Sequence, residues 1–176
     1  MLEGDTSHLP DCRGSKIANH VNVNVMMGNA ATSAFVAAYH EFIGGGHNMF
    51  FVDMADHECK RDGTRHYFNW DMDSAFNHRR VHSNIYGGDN KTPQQKYFFG
   101  KTFFLDKYNA DMKILASPDF IHKAKDYLYK LKHNDHLIAA LQADTNNNGA
   151  LDGFHKLHQF LDLRAKEVND QLLVGP

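Results

Sequence analysis

The chain has 176 residues, of which 42% are hydrophobic, 12% aromatic and 23% charged, and its net charge is -2 with the histidines neutral. This composition predicts an ordered, soluble globular protein and argues against intrinsic disorder. The near-neutral charge argues against the basic surface that binding to nucleic acid or to an anionic membrane requires. No apolar run reaches the roughly 20 residues that cross a bilayer, so no membrane span is expected.

Histidine is frequent, with 13 residues in the chain. Because imidazole titrates near neutral pH and often binds metals, this content fits metal binding or a pH response, and it also fits simple compositional bias. The two cysteines, Cys12 and Cys59, allow one disulfide or two buried thiols. They therefore do not decide between a cytoplasmic and a secreted protein.

The beginning of the chain mixes strand and helix patterns. Valine alternates with asparagine from Val21 to Val25, which predicts a strand. The segment from Asn29 to Phe42 predicts a helix with its N-cap near Asn29 and its end at the three glycines of residues 44–46.

The segment that follows has two interpretations. A β-hairpin is favoured, because apolar residues alternate with more polar ones on both sides of a turn at residues 61–64: Phe50, Val52 and Met54, then Phe68, Trp70 and Met72. The alternative is a degenerate helix-loop-helix unit with Met49 to Asp56 as its entering helix and Trp70 to Val81 as its exit helix. The hairpin makes residues 1–95 a small α+β region that ends near the loop from Gly87 to Pro93.

Residues 96–176 have helical periodicity. Apolar side chains from Phe120 to Leu131 fall on one stripe, with Ser117 as the N-cap and Pro118 in the first turn. After a break at residues 132–134, Asp135 is an N-cap candidate for a second helix. Apolar residues from Phe154 to Val168 predict a third.

The segment between the last two of these helices has the pattern of a calcium loop. Asp144, Asn146 and Asn148 place oxygen-bearing side chains at positions 1, 3 and 5, where a hard cation needs them. Gly149 occupies position 6, where the chain must turn sharply. The spacing therefore predicts one calcium site at this loop.

The second part of the loop suggests that the site is weak. The carbonyl oxygen of Ala150 and the carboxylate of Asp152 would supply further ligands, but position 12 carries His155 in place of the expected bidentate glutamate. Imidazole is a poor calcium ligand and suits zinc better. A dissociation constant of roughly 10⁻⁴ M or weaker is expected for Ca²⁺. The alternative is a calcium-free loop held by hydrogen bonds from Asp144 and the asparagines.

This layout resembles the EF-hand superfamily over residues 97–166, and mainly over residues 144–152. The resemblance implies a pair of helix-loop-helix units, so a mate for the calcium loop is expected upstream. The candidate mate has Met112 where glycine belongs and needs one inserted residue to align Asp106, Asn109, Asp111 and Asp119. We expect it to bind calcium weakly or not at all. Length and placement are also similar to those of sarcoplasmic calcium-binding proteins and their luciferin-binding relatives.

Other motifs are weaker. His78 and His82 lie four residues apart and could hold a transition metal on a helix, although about one such pair is expected by chance. No catalytic motif is complete. The sequence predicts a mainly α fold with some β structure and a non-enzymatic calcium-binding protein, whose partner is a protein or a small lipophilic ligand. The alternatives are an enzyme or ligand-binding protein that acts through its first half, and a histidine-based transition-metal binder.

Overall fold

The computed structural model describes residues 21–38, 49–56, 61–69, 74–87, 92–144 and 149–176. These residues form six α-helices and one two-stranded antiparallel sheet. The elements, in chain order, are α1 (Val23–Phe35), β1 (Met49–Asp56), β2 (Arg61–Asn69), a short 3-10 helix (His78–Arg80), α2 (Pro93–Phe99), α3 (Thr102–Leu115), α4 (Pro118–Lys132), α5 (Asp135–Ala143) and α6 (Ala150–Val174). The predicted mainly α fold with some β structure is confirmed for this part of the chain.

The strand predicted from Val21 to Val25 is wrong, because α1 begins there. Asn22 caps the helix by accepting a hydrogen bond from the N–H of Val25 at 3.1 Å, and Val23 is buried in the first turn. Val21 forms only an isolated bridge to Arg65. The cap and the burial of one helical face therefore outweigh the strand preference of alternating valines. The predicted N-cap near Asn29 is wrong, because Asn29 lies within the helix, and so is the predicted continuation beyond Phe35, because residues 36–38 are not helical and Ala37 has a positive φ. The predicted end at residues 42–46 lies outside the described residues.

The predicted hairpin is confirmed by β1 and β2, which pair Phe50 with Phe68 and Val52 with His66. The alternative helix-loop-helix unit is wrong, because its proposed entering helix is strand β1. The predicted turn at residues 61–64 belongs to β2, so the strands connect through residues 57–60. That connection, Trp70, Met72 and both cysteines lie outside the described residues.

The hairpin is attached to α1 through β2. The side chain of Asn69 donates a hydrogen bond to the carbonyl of Asn29 at 3.0 Å, and the side chain of Asn29 donates to the carbonyl of Tyr67. In the middle of β2, the N–H of Asn22 donates to the carbonyl of Arg65 at 2.9 Å. The asparagines of α1 therefore fix the sheet on the helix.

The helical boundaries in the C-terminal half are largely as predicted. Ser117 caps α4 by accepting a hydrogen bond from Phe120 N–H at 3.2 Å, with Pro118 in the first turn. The cap of α5 is Asn134, which accepts from Leu137 N–H at 3.0 Å, so Asp135 is the first helical residue and not the N-cap. The predicted break is present at residues 133 and 134, while Lys132 still belongs to α4.

The predicted second loop, over residues 106–119, is wrong. Helix α3 is continuous through most of this segment, and Asp119 lies in the first turn of α4, where it pairs with Lys123. Phe104, Tyr108 and Met112 recur every four residues and are all buried in the hydrophobic core. A buried helical stripe cannot also form an oxygen-rich loop.

One hydrophobic cluster joins the two predicted regions of the chain. Its members include residues of α1, of the segment before α2, of α2 and α3, and of α6: Val23, Met27, Phe35, Ile85, Tyr86, Phe98, Phe104, Tyr108 and Val168. Residues on both sides of position 95 therefore contribute to the same core. Among the described helices, none combines the length and the apolar character that crossing a membrane needs.

Candidate metal centre

The candidate calcium loop connects α5 to α6. Asp144 is the C-cap of α5, and its N–H donates to the carbonyl of Ala140 at 3.1 Å. Its side chain is exposed and its backbone is extended. The ligand candidates Asn146 and Asn148 lie outside the described residues. Helices α5 and α6 flank this segment, but α6 begins at Ala150, so positions 7 to 12 of the predicted twelve-residue loop are helical.

Gly149 makes the sharp turn that position 6 requires. Its φ of +90° lies in the left-handed region, which favours glycine because it has no Cβ. No atom lies within 4 Å of a Cβ built at this position, so glycine is required here by backbone conformation and not by lack of space. The carbonyl of Gly149 accepts the N–H of Gly153 at 3.2 Å and thereby starts α6.

The remaining candidate ligands lie at the beginning of α6. Ala150 is the first helical residue, so its carbonyl oxygen points along the helix axis toward the N–H of Phe154. The exposed side chains of Asp152 and His155 are three residues apart, which places them on one helical face. His155 Nε2 lies 2.9 Å from the Nε2 atom of Gln159. Within the described residues, no three His, Cys, Asp or Glu side chains converge on one point.

The electrostatics at this end of α6 favour anions. Unpaired N–H groups give a helix N-terminus a partial positive charge, which stabilises the Asp152 carboxylate in the first turn. The same partial charge opposes a cation bound beside it. A site that uses Asp152 is therefore expected to bind calcium less tightly than its ligand count alone implies.

The second candidate pair, His78 and His82, is not brought together on α6. The ring of His78 packs edge-on against Phe160 at 6.1 Å, whereas Nδ1 of His82 lies 2.8 Å from the carboxylate of Glu167. Phe160 and Glu167 are seven residues apart on α6, or about 10.5 Å along its axis. The two imidazoles therefore contact different parts of this helix.

The carboxylate of Glu167 makes a local polar network. It lies beside His82 and accepts a hydrogen bond from the side chain of Gln171 at 2.8 Å. Gln171 in turn accepts from the N–H of Ile85 at 2.8 Å and donates to the carbonyl of Ser83 at 3.3 Å. Residues 82–85 are thus held on the last three turns of α6.

The contacts of Glu167 predict that the free energy of unfolding depends on pH. The hydrogen bonds from His82 and then Gln171 lower the pKa of its carboxyl. Because the folded pKa is lower than the unfolded one, this stabilisation is present above about pH 4.5 and is lost as the pH falls through the folded pKa. The effect is expected to stay below about 1 kcal/mol, since His82 is largely exposed. Unfolding free energies of wild type and Glu167→Gln, measured between about pH 6 and pH 3, should converge on acidification.

The control for this prediction is Asp126→Asn, which also removes an exposed acid beside a histidine, His122. This variant should follow the pH profile of the wild type. Parallel profiles for wild type and Glu167→Gln would contradict the assigned role of Glu167.

One important residue, Arg164, was not singled out from the sequence. Its side chain is completely buried and donates to four backbone carbonyls: Phe35 from Nε at 3.0 Å, Val81 and Ser83 from Nη1 at 2.7 Å each, and Ala34 from Nη2 at 2.5 Å. Burial lowers the pKa of Arg164 to about 10, so the guanidinium stays charged at neutral pH. A sequence signal existed, since Arg164 falls four residues after Phe160 and four before Val168, on the buried stripe of α6.

Comparison with known proteins found no relative of this chain. The chain matches no protein-family model, no curated protein sequence and no solved structure.

Proposed function

We propose that this protein binds one calcium ion in the loop between α5 and α6. The proposed ligands are the side chains of Asp144, Asn146, Asn148 and Asp152, with His155 at the twelfth position; the carbonyl oxygen of Ala150, which the calcium pattern also expects as a ligand, points along α6 toward the N–H of Phe154. One observation carries most of the proposal: the alternating oxygen side chains of this loop lead into Gly149, whose left-handed backbone makes the turn that such a loop needs. Helices on either side of the loop support it further.

The proposed site is weak. Only Asp144 and Asp152 bring negative charge, and the imidazole of His155 replaces the two carboxylate oxygens that calcium prefers. The positive end of α6 opposes the cation. These effects favour a dissociation constant of roughly 10⁻⁴ M or weaker. Calcium would act by joining α5 to α6, as a structural ion or a low-affinity switch.

Thermal unfolding with calcium, magnesium or excess chelator tests this proposal. At a calcium concentration 100 times the dissociation constant, binding to the folded state should stabilise it by ~2.7 kcal/mol. Magnesium should act less, because it requires a smaller octahedral set of ligands. The stabilisation should disappear in Asp144→Ala and persist in Asp119→Ala, which removes an acid from the first turn of α4.

Three results would contradict the proposal: no calcium-dependent shift, the same shift in Asp144→Ala, or a shift of equal size with magnesium. A zinc-dependent shift that is lost in His155→Ala would assign the loop to a transition metal. Such a result would agree with the softer nitrogen ligand at this position.

A further inference from the structure

Strand β1 exposes three consecutive apolar side chains. Phe50, Phe51 and Val52 are 45%, 52% and 42% exposed. Neighbouring residues of a strand point to opposite faces of the sheet, so both faces of β1 are exposed at this point. Within the described part of the chain, the sheet has two strands, and no third strand pairs with β1. An apolar edge strand of this kind is a template for pairing with another strand.

Contacts of β2 show which main-chain groups of β1 face outward. The carbonyls of Arg65 and Tyr67 accept hydrogen bonds from asparagines of α1 and its N-cap, on the side away from β1. Asp53 lies opposite Arg65, and Phe51 lies opposite Tyr67. Opposite residues of an antiparallel pair point their main-chain groups either both inward or both outward. The N–H and C=O groups of Phe51, Asp53 and Met49 therefore point away from β2.

The regular part of β1 favours one way of pairing with a second copy. A register shift between Met54 and Asp56 interrupts the ladder, so regular pairing covers Met49 to Met54. In an antiparallel pair of β1 strands centred on Phe51, this residue lies opposite itself and Met49 lies opposite Asp53. All outward-facing residues of the regular part then exchange main-chain hydrogen bonds with the other copy. A register centred on any other residue leaves at least one of them outside the ladder.

The same register also matches the exposed side chains. Phe50 of one copy lies opposite Val52 of the other, in the type of pair whose main chains do not bond and whose side chains come closest. Aromatic and β-branched residues are favourable partners across strands. The ring of Phe51, which has the guanidinium carbon of Arg65 4.0 Å from its centre, lies beside the same ring of the second copy. A net charge of -2 per chain opposes this association only weakly.

The exposed area indicates the strength of such a contact. A fully buried aromatic side chain removes about 150–250 Å² from water, so the half-exposed residues 50–52 offer roughly 250 Å² on each copy. Stable interfaces bury about 800 Å² per partner. Strand pairing alone therefore favours a weak and reversible dimer, with a dissociation constant on the order of 10⁻⁴ M.

We propose that β1 is a self-association edge, which pairs with β1 of a second copy in antiparallel register around Phe51. The two hairpins then form one four-stranded sheet across a two-fold axis. The pairing gives main-chain partners to the outward-facing groups of β1 and covers residues 50–52. This inference does not depend on the proposed calcium site.

Two measurements on the wild type test the pairing. In sedimentation equilibrium between about 20 μM and about 2 mM protein, the average mass should rise from that of one chain toward that of two. In a mixture of isotope-labelled and unlabelled chains, nuclear magnetic resonance should detect an intermolecular Overhauser effect between the α-protons of Phe50 and Val52, whose Cα atoms lie about 4.5 Å apart. A constant monomer mass would overturn the proposal and leave the edge to a strand of a different protein. A dimer without this Overhauser effect would overturn the register.

A charge exchange at the two-fold axis tests the symmetry. Phe51→Lys and Phe51→Glu should each raise the dissociation constant about tenfold or more, because like charges then lie directly opposite each other. An equimolar mixture of the two variants should associate more tightly than either variant alone. Tyr127→Lys and Tyr127→Glu are the matched controls, since Tyr127 is 63% exposed on α4, and both should dimerise like the wild type. Unchanged dimerisation of the Phe51 variants, or no gain in their mixture, would overturn the pairing around Phe51. The wild-type measurements decide the proposal even where a variant fails to fold.

Discussion

Replacing Arg164 with methionine is expected to lower the free energy of unfolding by about 3–5 kcal/mol. The substitution fills a similar volume but removes the guanidinium donor from four buried backbone carbonyls. The carbonyls of Ala34 and Ser83 keep a second donor, the N–H of Ala37 and the side chain of Gln171. It also removes the positive charge that faces the end of α1. Because folded domains are commonly stable by only about 5–15 kcal/mol, this loss is a large share of the total.

Urea unfolding at neutral pH measures this effect, with Lys166→Met as the matched substitution on the same helix. The control should unfold like the wild type, since Lys166 is exposed and pairs only with Asp170 among the ion pairs described. Equal stability of Arg164→Met and wild type would mean that methionine packing compensates for the lost hydrogen bonds. That result would contradict the role assigned to the guanidinium.

Truncation of Tyr108 to alanine is expected to cost about 3–5 kcal/mol of unfolding free energy. This side chain is completely buried on α3, with its ring 4.9 Å from that of Phe99 and 5.9 Å from that of Tyr86. Alanine would remove these contacts and leave a cavity between α3 and the segment before α2. The variant Tyr108→Phe keeps the ring and should cost about 1–2 kcal/mol, because the hydroxyl donates to the buried carbonyl of Ile85.

Chemical unfolding of both variants separates the ring from the hydroxyl. Tyr127→Ala provides the control, because that side chain is 63% exposed on α4 and should contribute little. A similar loss for Tyr108→Ala and Tyr108→Phe would show that the hydroxyl, and not the packing of the ring, provides the stabilisation. A small loss in both would contradict the placement of Tyr108 in the core.

Local signals explain which elements could be predicted. The cap of α4 depends on Ser117 and Pro118, which are adjacent in sequence, and the hairpin depends on a two-residue alternation within each strand. The start of α1 was missed because alternating valines satisfy the strand pattern, while the choice of helix depends on burial against α3. The loop predicted within α3 failed for a related reason, since oxygen side chains spaced like calcium ligands also fit a helix with one buried face: Asp106 is exposed there and Asp111 is half-buried.

In the candidate site, too, local features could be predicted and contacts between distant residues could not. The spacing of Asp144, Asn146 and Asn148 and the glycine at position 149 can be read from six consecutive residues, because the predicted loop is a local pattern. The role of Arg164 could not, because its partners are main-chain carbonyls near residues 35 and 82, far away in sequence. Because every residue has a main-chain carbonyl, the residue type does not show which carbonyl accepts a hydrogen bond.

Titration calorimetry of the metal-free protein with calcium, for the wild type and for Asp144→Ala, tests the central claim most directly. The proposed function predicts a single site per chain with a dissociation constant of roughly 10⁻⁴ M or weaker, and no binding heat in Asp144→Ala. Absence of binding up to about 10 mM calcium, or an unchanged titration in Asp144→Ala, would contradict it.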